Sequence, residues 1–361
     1  MRKCLIVQFE PRHEEVIPSV IAACNAAGYR PQVLLNRRIR RVRGDVFKQV
    51  AGGAADIQYD RLSVDPDGDG PDWDAVLGDD IDFVILNTFN RPKVARWAAS
   101  CGKPVIALVH NVDQFMGDAA FHGMLDRPDF AFMTLAPHVT SELISRLDGR
   151  HIDRFGLLTY CVLTDGLPKY APNEPRKVVV PGNMSMRSRD YQGLINALAD
   201  HPGRWDNLSF EFPSSGADRE TIATEIENRG LADRMHILPA GANGEVPYAA
   251  VFDSLRTATL FHPLIPDGFA QYQRIKITST ASMSVGFGVP MIMDRWSEAC
   301  YRFPMLTADN TLEASLDRLS GASDAELLET SAALGVYRDQ MRAQSGQGMI
   351  RLIAQIGVSG A

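Results

Sequence analysis

The sequence predicts an α/β protein of two Rossmann-like domains facing each other across a cleft, closed by a helical C-terminal tail. Three observations predict it. Short apolar runs alternate with longer amphipathic segments from end to end, the pattern of βα units that build parallel sheets. The alternation stops at a polar stretch carrying Pro168, Pro172 and Pro175, which lacks helix or strand periodicity and suits a linker, and then starts again. Beyond about residue 311 the pattern is helical, to about residue 356. The expected units are an N-terminal domain over residues 1–170 and a C-terminal domain over residues 171–361 that includes the tail.

In chain order, the first apolar run, residues 4–9, reads as a strand. A helix over residues 14–27 follows, because Val16, Ile17, Val20, Ile21 and Cys24 fall on one face, and Gly28 stops it. Further strands are expected at residues 32–35, 83–86, 104–109 and 130–135, with helices at 93–100 and 137–147. The second series places strands at residues 177–180, 208–212, 235–238, 259–261 and 290–293. Its helices are expected at residues 191–199, 219–229, 248–258 and 276–285.

Composition bounds the function. The 361 residues are 45% hydrophobic and 22% charged, as in a packed globular protein, and the formal net charge of -7 argues against a general nucleic-acid binder. Cys4, Cys24, Cys101, Cys161 and Cys300 are widely spaced and form no CxxC pair, so they read as reduced thiols rather than a zinc site. The N-terminus reads as a first strand rather than a signal peptide, and no stretch approaches the roughly 20 apolar residues of a spanning helix. These features describe a soluble cytoplasmic protein and leave contact with a membrane surface open.

Two doubly wound domains set two rows of strand carboxyl ends opposite each other, and ligands bind in the crevice outside such ends. The site is therefore expected between the domains. Periplasmic-type binding proteins share that geometry, but the lack of a signal peptide and the single linker count against them. Dehydrogenases are disfavoured because neither VQFEPR, residues 7–12, nor VPGNMSM, residues 180–186, contains GxGxxG.

Residues 261–294, FHPLIPDGFAQYQRIKITSTASMSVGFGVPMIMD, carry the most information. A strand ends in a His/Pro-rich turn, a helix follows, and a small-residue GxP turn leads into the next strand. This stretch resembles the nucleotide-sugar-binding region of GT-B glycosyltransferases. Tyr272, Lys276, Thr278 and Ser279 before Gly286-Phe287-Gly288-Val289-Pro290 resemble bacterial members that assemble polysaccharide or glycolipid. Residues 178–191, VVVPGNMSMRSRDY, are similar to the strand, glycine turn and helix start that open the family's C-terminal domain. The resemblance implies a nucleoside-diphosphate sugar donor, UDP or GDP, and neither cofactor nor bound metal. It covers the chain in architecture and the C-terminal domain in motif detail. Many retaining members carry two glutamates flanking the helix, whereas the equivalent places here, near Ile275 and Met283, are apolar.

Charge chemistry gives the same region a role. A diphosphate suits the N-terminus of a helix, where free N–H groups and the helix dipole meet negative charge. Lys276, Thr278, Ser279 and Thr280 are expected to open such a helix, with Arg187 or Arg189 beyond the Gly182-Asn183 turn as a second cation. His262 ends a strand before Pro263 and either touches the donor or packs the turn. Tyr248 opens a helix where the family approaches the nucleotide base, or belongs to the core. Residues 65–69, DPDGD, look like a metal loop but lack the glutamate an EF-hand places twelfth.

In the N-terminal domain, His13 follows the first strand and suits a general base for the acceptor hydroxyl, with Glu14 and Glu15 either beside it or favouring a helix start. His110 ends another strand, so the resemblance implies a contact with the donor sugar, the alternative being a bond to a neighbouring backbone carbonyl, and Asp113 is an alternative base. His138 reads as a surface or capping residue. Arg37, Arg38, Arg40, Arg41, Arg43 and Lys48, interleaved with Ile39, Val42, Val46 and Phe47, suit an anionic membrane surface or a pyrophosphate-lipid acceptor, or a solvated face. The expected function is transfer of a sugar from a nucleotide donor to a carbohydrate or lipid-linked acceptor in surface polysaccharide or glycolipid synthesis. The alternatives are a GT-B-fold sugar-nucleotide epimerase and a non-catalytic partner with a degenerate nucleotide site.

Overall fold

The computed structural model describes residues 2–10, 12–47, 55–64, 70–158 and 169–358. The DPDGD loop, Lys48, Cys161 and Pro168 lie outside the described residues. The first sheet contains β1 (Arg2–Gln8), β2 (Tyr29–Asn36), β3 (Asp56–Asp60), β4 (Ile81–Leu86), β5 (Val105–Val109), β6 (Phe130–Thr134) and β7 (Phe155–Leu157). Its strands are parallel in the order β3-β2-β1-β4-β5-β6-β7. β5 (VIALV) and β6 (FAFMT) are buried along their whole length, as strands covered by helices on both faces must be.

The second lobe repeats the winding. β8 (Arg176–Val179), β9 (Leu208–Phe212), β10 (Met235–Ile237) and β11 (Leu260–Phe261) run parallel in the order β10-β9-β8-β11. β12 (Ile292–Asp294) pairs with β13 (Leu306–Ala308), and a bridge between Phe261 and Met291 joins that pair to β11. In each lobe the chain reverses its winding beside the first strand, between β1 and β4 and between β8 and β11. Those two switch points are where a doubly wound sheet opens a crevice at its carboxyl edge.

The helix Asp324–Gln355 crosses back onto the first lobe, packing on the helix Ile17–Ala26 and on β7. Gly346 permits the approach, since a Cβ there would lie 2.8 Å from Ala26 Cβ. Gln355 Nε2 donates to Asp153 Oδ2 at 2.7 Å near its end. The lobes also touch directly: the Val112 N–H donates to the Ile275 carbonyl at 2.9 Å, and Arg274 pairs with Glu142 at 3.0 Å. No helix among the described residues is long and apolar enough to cross a membrane.

Three strands escape the sequence pattern. β3 (DIQYD) is a polar edge strand, and β7 and β13 are only three residues long, too short for a periodicity. The expected helix over residues 14–27 opens with a 3-10 turn, Glu14–Val16, before Ile17–Ala26. The helix expected at residues 276–285 is corrected to Ser279–Phe287. A short helix, Gln271–Arg274, ends just before it, and the Tyr301 hydroxyl takes the Thr278 N–H at 3.0 Å, a tertiary contact that helical spacing does not reveal.

Candidate functional site

At the second switch point the chain leaves β8 and turns at Gly182 with φ 102°. A Cβ on Gly182 would stand 2.1 Å from Arg189 Nη2 and 3.3 Å from Ser279 Oγ, so only glycine lets those groups come together. Gly182 N–H donates to the Ser214 hydroxyl at 3.1 Å. Arg189 is 3% exposed, donates through Nη1 to the Pro263 carbonyl, and has no carboxylate partner among the described residues. A buried guanidinium without a counter-ion is costly, by several kcal/mol in order of magnitude, until an anion joins it. The segment is pinned on both sides: the Asp190 N–H donates to the Leu264 carbonyl at 2.7 Å and its side chain caps the helix Tyr191–Asp200.

Directly after β11, His262 accepts the Leu264 N–H through Nδ1 at 2.9 Å, so its Nε2 carries the proton. That Nε2 is buried without a partner, and burial followed by the charge of Arg189 pushes the imidazole down to about 3. His262 is therefore a neutral donor. It also lines a cavity of about 290 Å³, together with Asp190 at the start of the helix Tyr191–Asp200 and with Asp294, Asp309 and Thr311 at and beyond the ends of β12 and β13.

The remaining C-terminal candidates divide. Ser279, the first helical residue, faces the Gly182 turn. Lys276 lies before the helix, its ammonium 4.9 Å from the Tyr272 ring and 5.3 Å from the Phe269 ring; burial, then the charge of Arg187, lowers its pKa. Thr278 is buried and donates its hydroxyl to Thr280 at 3.2 Å, so both of its donors are used inside the lobe. Asn183 and Arg187 are exposed. Tyr248 is a buried residue packed on Phe252, and it receives the Arg43 guanidinium at 5.6 Å.

At the first switch point His13 takes a left-handed turn, φ 71°, after β1 and stacks on His110 at 4.4 Å. Burial opposes the charge on His13, but the Glu15 carboxylate, 3.7 Å away, outweighs it and raises the pKa. Glu15 is lowered in turn: burial works against its charge, and the His13 interaction prevails. His110 is neutral, pushed down to about 3 by burial and then by His13, and donates Nε2–H to the Asn87 carbonyl at 2.6 Å. Asn87 Nδ2 donates to Gln8 Oε1 at 2.6 Å and to the His13 carbonyl at 2.9 Å.

Beside this network both carboxylate oxygens of Glu14, Oδ1 of Asn87 and of Asn90, and the Thr88 hydroxyl are buried without a hydrogen-bond partner. Glu14 is 1% exposed, and burial, then the charge of Glu15, raises its pKa to about 7. Asp113 lies apart from the group, 56% exposed and paired with Arg146 at 2.7 Å, a poor setting for a general base.

The arginine helix, Arg37–Arg43, splits the basic run in two. Arg37, Arg38, Arg40 and Arg41 are exposed, while Ile39, Val46 and Phe47 are buried, so the apolar members do not share the cationic face. Arg43 turns to the cleft, where it pairs with Glu245 of the second lobe at 3.1 Å and stands 4.0 Å from Glu14. His138 corrects the expectation of a surface or capping residue. It is half-buried between the lobes, Nε2 donating to the Lys276 carbonyl at 3.2 Å and the ring 4.7 Å from that of Tyr301. Asn87, Thr88 and Asn90 were not anticipated, although polar residues directly after an apolar run mark a strand's carboxyl end.

No protein-family model and no curated protein sequence matches the chain. Solved structures do match it. Anabaena HepE in complex with UDP and glucose superposes with a TM-score of 0.65 at 11% identity, covering 96% of this chain and 98% of that one. Trehalose-6-phosphate synthase, OtsA, gives 0.61 at 11% identity over 99% of both chains. A glycosyltransferase from Rickettsia africae gives 0.58 at 12% identity over 98% of this chain and 97% of its own. With two parallel sheets wound alike and the last helix crossing back to the first lobe, the chain shares the GT-B fold with these structures from end to end.

Proposed function

We propose that the chain is a glycosyltransferase that moves a sugar from a nucleoside-diphosphate donor to a carbohydrate or lipid-linked acceptor in surface polysaccharide or glycolipid synthesis. The observation that carries this reading is the buried Arg189, without a carboxylate partner among the described residues and set against the Gly182 turn and the first residue of the helix Ser279–Phe287. Negative charge grows on a departing nucleoside diphosphate, and a fixed cation beside a helix N-terminus stabilises that charge without reorganising. Lys276 and Arg187 add positive charge at the rim, and the His262 Nε2–H is a further donor on the same lobe. UDP is the favoured nucleotide, in keeping with the UDP complex of Anabaena HepE, and sugar transfer is in keeping with the glycosyltransferase from Rickettsia africae.

His13, 3.7 Å from Glu15 and stacked on His110, suits the general base that takes the proton of an acceptor hydroxyl. The exposed Arg37, Arg38, Arg40 and Arg41 suit electrostatic contact with an anionic membrane surface or the pyrophosphate of a lipid-linked acceptor, at the cytoplasmic side. The test is an assay of the full chain with UDP-glucose, UDP-galactose, UDP-N-acetylglucosamine and GDP-mannose. One donor is expected to release nucleoside diphosphate in a reaction stimulated by an added glycan. Conversion of a donor to its epimer without net release contradicts the reading, as does the absence of nucleoside-diphosphate binding.

A further inference from the structure

Buried polar groups accumulate without partners at the carboxyl ends of β1 and β4. The orientation of Asn87 is fixed, because its Nδ2 faces the His13 carbonyl, which can only accept; Oδ1 is thereby left over. The Thr88 hydroxyl, next in sequence, and both oxygens of Glu14, next to His13, are equally unpartnered and buried. Two neighbouring donors are already used: Gln8 Nε2 on the Glu10 carbonyl at 2.7 Å and on the Arg12 carbonyl, and His110 Nε2 on the Asn87 carbonyl at 2.6 Å. Arg43 holds Nη1 4.0 Å from Glu14, beyond hydrogen-bond reach, while its Nε and Nη2 donate to Glu245 at 3.2 and 3.1 Å. Buried acceptors of this kind are rare in a finished fold and call for a partner from outside.

Glu14 and the Asn87 amide oxygen call for O–H or N–H donors, while the Thr88 hydroxyl serves either way. A phosphate dianion brings none and meets the carboxylates of Glu14 and Glu15, whereas a sugar ring presents several hydroxyls that donate. Resting on the transferase reading, we propose that this end of the first lobe holds an uncharged, hydroxyl-rich ring of the acceptor, with Glu14 as its anchor and Asn87 and Thr88 as supporting contacts. Any phosphate of a lipid-linked acceptor then lies away from these groups, and the ring that meets them carries none.

The test uses the full chain with UDP, and saturation-transfer NMR on methyl glucoside, methyl galactoside, methyl mannoside and their 6-phosphates. At least one neutral glycoside is expected to bind, and its 6-phosphate to bind about tenfold more weakly or not at all. Glu14→Gln is expected to weaken the neutral glycoside about tenfold, as for lost hydrogen bonds to a charged group. Thr88→Val, which keeps the shape and removes the hydroxyl, is expected to weaken it about fivefold while leaving the fold intact. Binding of UDP is unchanged in both variants, so a loss of UDP binding strikes the transferase reading instead. The proposal is overturned if no neutral glycoside binds, if a 6-phosphate binds as well as its parent, or if both variants bind like the parent chain.

Discussion

The two switch points are built alike and charged oppositely. Beside β8 and β11 the unspent groups are a guanidinium, an imidazole N–H and the start of a helix, all seeking an anion or an acceptor. Beside β1 and β4 they are a carboxylate, an amide oxygen and a hydroxyl, with a histidine–glutamate pair at their edge. One winding thus supplies two sets of unspent groups, and the residues after the central strands decide which set suits negative charge and which suits hydroxyls. Arg43 and Glu245 join the two across the gap.

The contrast can be broken first at Glu14. Its pKa rises from 4.5 to about 7, so between those values the folded chain keeps a proton that the unfolded chain has lost. Stability therefore falls as pH rises through that window, and the full penalty, about 3 kcal/mol, is present above it. Glu14→Gln is expected to be more stable than the parent by about that amount near pH 8, with the difference closing towards pH 4.5, as thermal melts at each pH will report. A variant that melts lower near pH 8 contradicts the burial of an unsatisfied carboxylate.

Gly182→Ala comes next. The new methyl meets the Arg189 guanidinium at 2.1 Å on a backbone with φ 102°, so a stability loss of about 2 kcal/mol is expected in urea unfolding. Nucleotide affinity should fall with it. The smallest effect is expected at Arg43→Met. The Arg43–Glu245 pair is partly exposed and worth no more than about 1 kcal/mol, but removing the cation also raises the pKa of Glu14 further. Its pH window of falling stability should move upward, a displacement that melts across the neutral range will detect.

Much of this was legible in the sequence, and the failures have causes. Runs such as VIALV and FAFMT declare buried parallel strands because nothing polar interrupts them. DIQYD does not, since an edge strand exposes one side. In the site, the glycine after the first strand of the second lobe pointed to the turn, but the choice between Arg187 and Arg189 depends on which one the turn buries. Thr278 looked like a phosphate ligand until Tyr301, far along the chain, occupied its N–H. Glu14 read as a helix-start residue, because its burial without a hydrogen-bond partner is a property of tertiary packing rather than of its neighbours in sequence.

Calorimetric titration of UDP into the parent chain and into Arg189→Met addresses the central claim most directly. Arg189 is held to be a buried cation awaiting a diphosphate, so the variant should lose about a hundredfold in affinity while melting no lower than the parent, since a buried, unpaired charge has been removed. Equal affinity in the two proteins, or no binding of UDP to the parent, contradicts the account.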